Sequence, residues 1–341
     1  FLMFFAKCNL FLPIIPFLNK NIKLIINYLL GPLLFIILSW SLYKQIIHQP
    51  DLALRWSQIK YSWADMRFWI VFALMFVNWG IEAAKWRRLI SPLERFSFSR
   101  AVKSVLAGCS ITMLTPNRIG EYGGRIMYVA EENRLKAISL TILGSISQLT
   151  VTMFMGTIGL IMLKNSQQGM LLSSLPGFVN NAIIYFSFIV TVILLLIYFK
   201  VHFFILLIAR IKILKGVVKY IKVVDIFSGK QLLRILFLSV FRYMVFILQY
   251  VLLLQVLGVE ISFLLSFWVL TVFYVTMVLL PTIGFIELPV RATASLKLLS
   301  VYSSNILGIQ AAAFGIWLIN LVIPAIIGSL LIFGIKIMKE R

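Results

Sequence analysis

Long uncharged runs dominate this chain, and its few polar residues mark where those runs end. A helix that crosses a bilayer needs about 20 mainly apolar residues. Leu24–Tyr43 supplies that length without a charge, and Phe68–Ala84 follows as a shorter run with Glu82 near its end. Ala137–Leu163 is uncharged and rich in Ser, Thr and Gly, the composition of a helix that packs closely on its neighbours. Asn180–Phe199, Ile235–Leu257 (interrupted by Arg242) and Ile306–Ile335 complete the set, with Pro324 placed to kink the last. The pattern predicts an all-α polytopic integral membrane protein with about six full transmembrane helices. Segment 1–19 is an apolar lead-in. It holds Lys7, Pro13 and Pro16, and no small-residue cleavage site follows, so it reads neither as a signal peptide nor as a span.

Two apolar stretches remain, Ala101–Pro116 with Lys103 and the uncharged Ile261–Pro281. If both re-enter and return to the side they came from, one face collects Lys20, Lys23, Lys85, Arg87, Arg88, Arg95, Arg118, Arg134 and Lys136. The same face collects Arg210, Lys212, Lys215, Lys219, Lys222, Lys230, Lys336, Lys339 and Arg341. The other face keeps only Lys44, Arg55, Lys60, Arg67, Lys164, Arg291 and Lys297. By the positive-inside rule both termini are cytoplasmic. Making either stretch a full span would carry the basic 200–234 loop or the basic C-terminus to the outside, so re-entry is the better reading.

The re-entrant stretches resemble each other. Phe98 to Pro116 and Phe263 to Pro281 each cover 18 residues, and Glu121–Arg125 and Glu287–Arg291 are each four apart. With an odd number of spans between them, the copies face opposite sides, which makes an inverted repeat: about 68–163 and about 235–335, joined by a basic cytoplasmic linker 200–234. Pro116, Gly120, Pro281 and Gly284 break the helical ladder, and backbone broken at membrane depth must find protein or water. Glu and Arg at i, i+4 share one helix face, which is costly in hydrocarbon unless it lines a wet, protein-walled interior. The plainer reading makes each pair a salt bridge at a helix end. Arg242, about 12 Å along the helix from Arg234, either snorkels to the cytoplasmic face or enters the same cavity. Glu82, just ahead of Lys85, Arg87 and Arg88, is expected to pair with them.

Composition agrees with a lipid-solvated chain. Of 341 residues 61% are hydrophobic and 13% charged, roughly half the charged share of a soluble domain. The net charge of +21 would suggest nucleic acid in a soluble protein; beside apolar spans it meets anionic headgroups, and no nucleic-acid partner is expected. Lys212, Lys215, Lys219 and Lys222 interleave with aliphatics as in an amphipathic helix lying on an anionic leaflet. Cys8, Cys109, His48 and His202 are scattered and form no disulfide framework or metal-ligand spacing, so no metal or other cofactor is expected.

Thr115-Pro116-Asn117-Arg118-Ile119-Gly120-Glu121 with Arg125, Trp86-Arg87 upstream, and the later Pro281-Thr282-Ile283-Gly284 with Glu287 together resemble the lysylphosphatidylglycerol synthase transmembrane-domain, or flippase-like, family over roughly residues 20–335. In complete bifunctional synthases this domain moves the aminoacylated lipid to the outer leaflet, while a separate cytosolic domain makes it. The chain ends six residues past its last expected span, so the resemblance implies the translocating half without the transferase. That implies a stand-alone phospholipid translocase of the bacterial inner membrane, not an enzyme. Arg118 or Arg125 and Arg291 would bind lipid phosphate, and Glu121 and Glu287 would hold a cationic headgroup or balance the arginines. Two alternatives stand beside it. One is a membrane-embedded transferase acting on a lipid carrier through Glu121 and Glu287; the other is a non-catalytic partner of a separate cytosolic synthase or glycosyltransferase.

Overall fold

The structure is a computed structural model that describes residues 40, 43–44, 47, 52–113, 115, 119–165, 176–210, 215–280 and 287–339. The lead-in 1–19 and most of the first expected span lie outside them. Among the described residues every regular element is helical. In chain order the helices are α1 (Leu52–Lys60), α2 (Met66–Ile90), α3 (Phe98–Thr112), α4 (Gly120–Ile126) and α5 (Arg134–Asn165). After them come α6 (Gly177–Phe199), α7 (Val201–Arg210), α8 (Lys215–Ile221), α9 (Gly229–Val256) and α10 (Phe263–Leu279). The chain closes with α11 (Glu287–Leu299), α12 (Ile306–Trp317) and α13 (Ile323–Lys339).

Five helical runs among the described residues are long and apolar enough to cross a membrane: Met66–Ile90, Glu131–Asn165, Gly177–Phe199, Gly229–Val256 and Ile306–Ile332. They match the last five expected spans. Helix α2 continues through Ile90 instead of stopping near Ala84. Its apolar side remains buried at Trp86, Leu89 and Ile90 while Arg87 and Arg88 point outward, so the basic residues ride on one face instead of ending the helix. The final run is interrupted by a π turn at Leu318–Val322, immediately ahead of Pro324. Proline has no N–H to return to the carbonyl four residues back, and the wider turn absorbs the missing bond.

The two shorter apolar elements, α3 with 15 residues and α10 with 17, reach only about 22–26 Å at 1.5 Å per residue, less than a hydrocarbon core of about 30 Å. Each starts on a serine cap: Ser97 accepts from the Arg100 N–H and Ser262 from the Leu265 N–H. Helix α4 then runs back alongside α3. A side chain at Gly120 would collide with the Ile111 carbonyl and one at Gly124 with the Ala107 carbonyl. Ser104 Oγ donates to the Arg125 carbonyl at 2.9 Å, and Arg100 Nε to the Tyr128 carbonyl at 2.7 Å. Rising numbers on one helix meet falling numbers on the other, which is a re-entrant hairpin. Helices α10 and α11 form the second, with Arg291 on α11 over the Phe273 ring of α10 at 5.8 Å.

The order long helix, short helix, returning helix, long helix thus occurs twice, as α2–α5 and as α9–α13. Its first members pack against each other and run antiparallel: Gln249 Nε2 on α9 donates to the Val71 carbonyl of α2 at 2.9 Å, while Arg242 reaches Asn78 and Glu82. Each hairpin lies against the last helix of the other half. Gly328 of α13 meets the Leu106 carbonyl of α3, and Gly156 of α5 meets Val275 and the Thr271 carbonyl of α10. Gly156 and Gly328 are 172 residues apart, as are the first residues of α5 and α12, and Leu106 and Thr271 are 165 apart, as are Phe98 and Phe263.

Two apolar clusters form the core. One gathers Val71, Met75, Val151, Tyr243, Ile247, Val269, Phe273 and Ala313. The other gathers Ala83, Trp86, Leu89, Ala101, Leu140, Tyr198, Val224 and Ile235. Helices α2, α5 and α9 run through both, and between the clusters each carries buried polar residues: Asn78 and Glu82, Ser147 and Thr150, and Ser239. Asn78 is the middle residue of α2, so this polar waist crosses the middle of the helical bundle. Val218, Val223 and Val224 of the basic linker belong to the second cluster, so its aliphatic side is docked on the bundle, and Lys219 and Lys222 stay exposed.

Candidate functional site

The waist holds a group of ionisable side chains that meet at one carboxylate. Glu82 Oε1 accepts from the Arg125 guanidinium at 2.6 Å, and its Oε2 lies 2.8 Å from Lys85 Nζ and 2.9 Å from Arg242 Nη1. Arg125 also pairs with Glu121 one turn earlier on α4. The group is then extended by amides: Arg242 Nε donates to Asn78 Oδ1 at 2.9 Å, and Asn78 Nδ2 donates to Asn320 Oδ1 at 2.9 Å in the π turn. One network therefore joins α2, α4, α9 and the last transmembrane run.

Local sequence explains why these side chains converge. Glu82 and Lys85 are three apart on α2 and share a face, and Asn78 precedes Glu82 by one turn on that face. Gly120 and Gly124 let α4 lie directly on α3, which brings Arg125 over the Trp86 ring at 5.3 Å. Trp86 is fixed in turn by its Nε1 donating to Ser104 Oγ at 2.9 Å. Arg242 is flanked by the rings of Trp79 at 5.8 Å and Phe246 at 5.2 Å. Aromatic faces shield both guanidinium planes and leave their edges free to donate. Glu82, Lys85 and Arg125 are nearly sealed, with side chains 2–3% exposed, whereas Glu121 at 27% and Arg242 at 14% keep contact with the surroundings.

The second hairpin carries a smaller version. Arg291 Nη2 donates to Glu287 Oε1 at 2.9 Å, with both side chains buried. Beside them Tyr250 of α9 donates to Ser295 of α11 at 2.8 Å. A groove of about 340 Å³ opens between α10 and α11, lined by Thr276, Leu280, Val290, Thr293, Ala294 and Lys297.

Of the residues expected to form the site, Glu121 and Arg125 lie together, Arg242 joins them, and Glu287 and Arg291 pair on their own helix. Gly120 sits at the close contact of the first hairpin, its N–H donating to Thr115 Oγ1 at 2.7 Å. Arg118, Pro116, Pro281 and Gly284 lie outside the described residues, as does Lys212. Of the two courses open to Arg242, the structure shows the interior one. Glu82 pairs as expected with Lys85, but it is the hub of the network and not a helix-end partner. Asn78 and Asn320 escaped sequence reasoning. Their signal was an amide in the middle of an apolar run, which is costly unless it is paired.

These features define a multi-pass α-helical membrane protein with two hairpins of short helices, each bearing a glutamate–arginine pair. The family model described as lysylphosphatidylglycerol synthase TM region matches residues 28–328, and the chain belongs to that family. The comparisons with curated proteins and with solved structures find no match.

Proposed function

We propose that this chain is a phospholipid translocase of the bacterial inner membrane, built as an inverted repeat around the polar waist. The observation that carries the reading is the Glu82-centred network inside the helical bundle, between two halves whose first helices run antiparallel. Transporters with inverted repeats place their substrate sites near the midplane, at the repeat interface, on discontinuous helices. Here the broken elements are the two hairpins. Arginine edges suit phosphate oxygens, so Arg125 and Arg242 would hold the phosphate from one side of the membrane and Arg291 from the other. Glu82, Glu121 and Glu287 hold those arginines in place when no lipid is present. Acyl chains would remain in the bilayer while the headgroup crosses the waist. Leaflet redistribution of fluorescent phospholipids in proteoliposomes tests this. Wild type is expected to move lipid, and Arg125→Gln and Arg291→Gln to lose most of that rate while staying folded. A wild type that moves nothing, or variants that keep the full rate, would overturn the reading.

A further inference from the structure

The linker between the two halves holds two short helices that face the bundle differently. On α8 Val218 is buried, as are Val223 and Val224 just after it, while Lys219 and Lys222 point away from the bundle. On α7 Ile205 belongs to the second core cluster, with Val201 packed against it. His202 Nδ1 lies 2.6 Å from Asp225 Oδ2, in the turn Lys222–Ile226 that follows α8. Those contacts fix which side of α7 faces inward. The other side carries Phe203, Leu206 and Leu207, which are 63%, 52% and 48% exposed, and it ends on the exposed Arg210. Positions i, i+3, i+4 and i+7 form one stripe along a helix.

The stripe continues the outward side of α6. Ile193, Leu196 and Phe199 are exposed directly ahead of Lys200, where φ −107° and ψ 34° break the helix. At 23 residues α6 covers about 34 Å, which already exceeds a hydrocarbon core of about 30 Å. The 10 residues of α7, continued in line, would hold Phe203, Leu206 and Leu207 in water. A helix turned at Lys200 into the membrane plane keeps them at the boundary of headgroups and acyl chains instead. Its two ends are cationic, at Lys200 and Arg210, and Lys219 on the helix packed beside it adds charge. Cations flanking an apolar stripe suit the phosphates of an anionic leaflet.

We propose that α7 is an interfacial helix lying in the anionic inner leaflet, with Phe203, Leu206 and Leu207 among the acyl chains and Lys200 and Arg210 on headgroup phosphates. The linker lies on the side that collects the basic loops, which makes this leaflet the inner one. The lysine-rich helix, whose spacing alone suggests that role, keeps its aliphatic side on the bundle and contributes only charge. Helix α7 thus gives the linker that joins the halves a fixed depth in the membrane.

Fluorescence quenching in a bilayer tests the proposal. The full-length chain, with Cys8 and Cys109 replaced, receives a single cysteine as Leu206→Cys or Lys219→Cys, both at exposed positions. Each is labelled with an environment-sensitive fluorophore in nanodiscs of phosphatidylglycerol and phosphatidylcholine, which leave both faces open to solvent. The Leu206→Cys label should be quenched by nitroxides on the acyl chains and protected from aqueous acrylamide, and the Lys219→Cys label should show the reverse. Arg210→Gln, read at the Leu206→Cys label, should raise the undocked fraction about fivefold, the weight of one cation at an anionic surface. In discs of phosphatidylcholine alone it should change nothing. Acrylamide reaching both labels equally would put the stripe in water and overturn the proposal. Protection from acrylamide without nitroxide quenching would mean that protein covers the stripe, and would overturn it too. An Arg210→Gln effect of equal size in both kinds of disc would overturn the anionic contact. No arm reads lipid movement, so the proposal stands or falls apart from the translocase reading.

Discussion

Glu82 is the residue on which the buried network depends. Three cations lean on it, and with a side chain 3% exposed it has no water to replace them. Glu82→Gln would leave those cations buried with Glu121 as the remaining carboxylate among the described contacts. Breaking one side of such a group costs about 3–5 kcal/mol, so thermal denaturation in detergent should show a large drop in Tm. Arg67→Gln removes an exposed partner of Asp65 and should change stability by no more than about 1 kcal/mol. The same Asp65 caps α2 through the Arg67 N–H, and the hydrogen bonds from Arg67 hold its carboxyl below the usual carboxylate range. Its small contribution is therefore present above the unfolded value and fades as pH falls through the folded one; Asp65→Asn should flatten that acid limb. Sequence showed Glu82 as the one acid inside the expected spans but placed it at a helix end, because the apolar run thins after Ala84. Its partners Arg125 and Arg242 are 43 and 160 residues away, and pairing over such distances is set by packing, not by local pattern.

The hairpins are legible as elements and not as contacts. The bias of basic loops, with the Pro and Gly that follow each run, marks the two stretches as broken helices, and at 15 and 17 residues α3 and α10 are short. What the run lengths do not reveal is that each hairpin lies on the last helix of the other half, through glycines at matched positions. A side chain at Gly328 would meet the Leu106 backbone, which cannot rotate away, whereas one at Gly156 would meet the end of the Val275 side chain. Gly328→Ala should therefore destabilise by about 1–3 kcal/mol and Gly156→Ala by less, as chemical or thermal unfolding of the two variants would show. The amphipathic linker helix is a similar case. Its lysine spacing is readable, but that its valines would be taken up by the bundle core is visible only once Tyr198, Leu140 and Val224 are seen together.

At the scale of the molecule, two apolar clusters separated by a charged waist make a body with two ends and a polar middle. Apolar run length predicted the last five spans, and the bias of basic loops gave the expectation that the two short stretches re-enter. The waist itself was only half legible, because its amides and hydroxyls look unremarkable one at a time. In the proposed arrangement the hairpins enter from opposite faces. Ser97 follows the end of α2 and Ser262 the end of α9, and because α2 and α9 are antiparallel these exposed caps lie at opposite ends of the pair. The most direct test places a single cysteine at Ser97 or at Ser262, in a chain with Cys8 and Cys109 replaced, and labels intact cells with a membrane-impermeant maleimide. Ser262→Cys should label from outside, and Ser97→Cys only after the cytoplasmic face is exposed. Labelling of both from the same side would mean that the hairpins enter from one face and that the halves are not inverted.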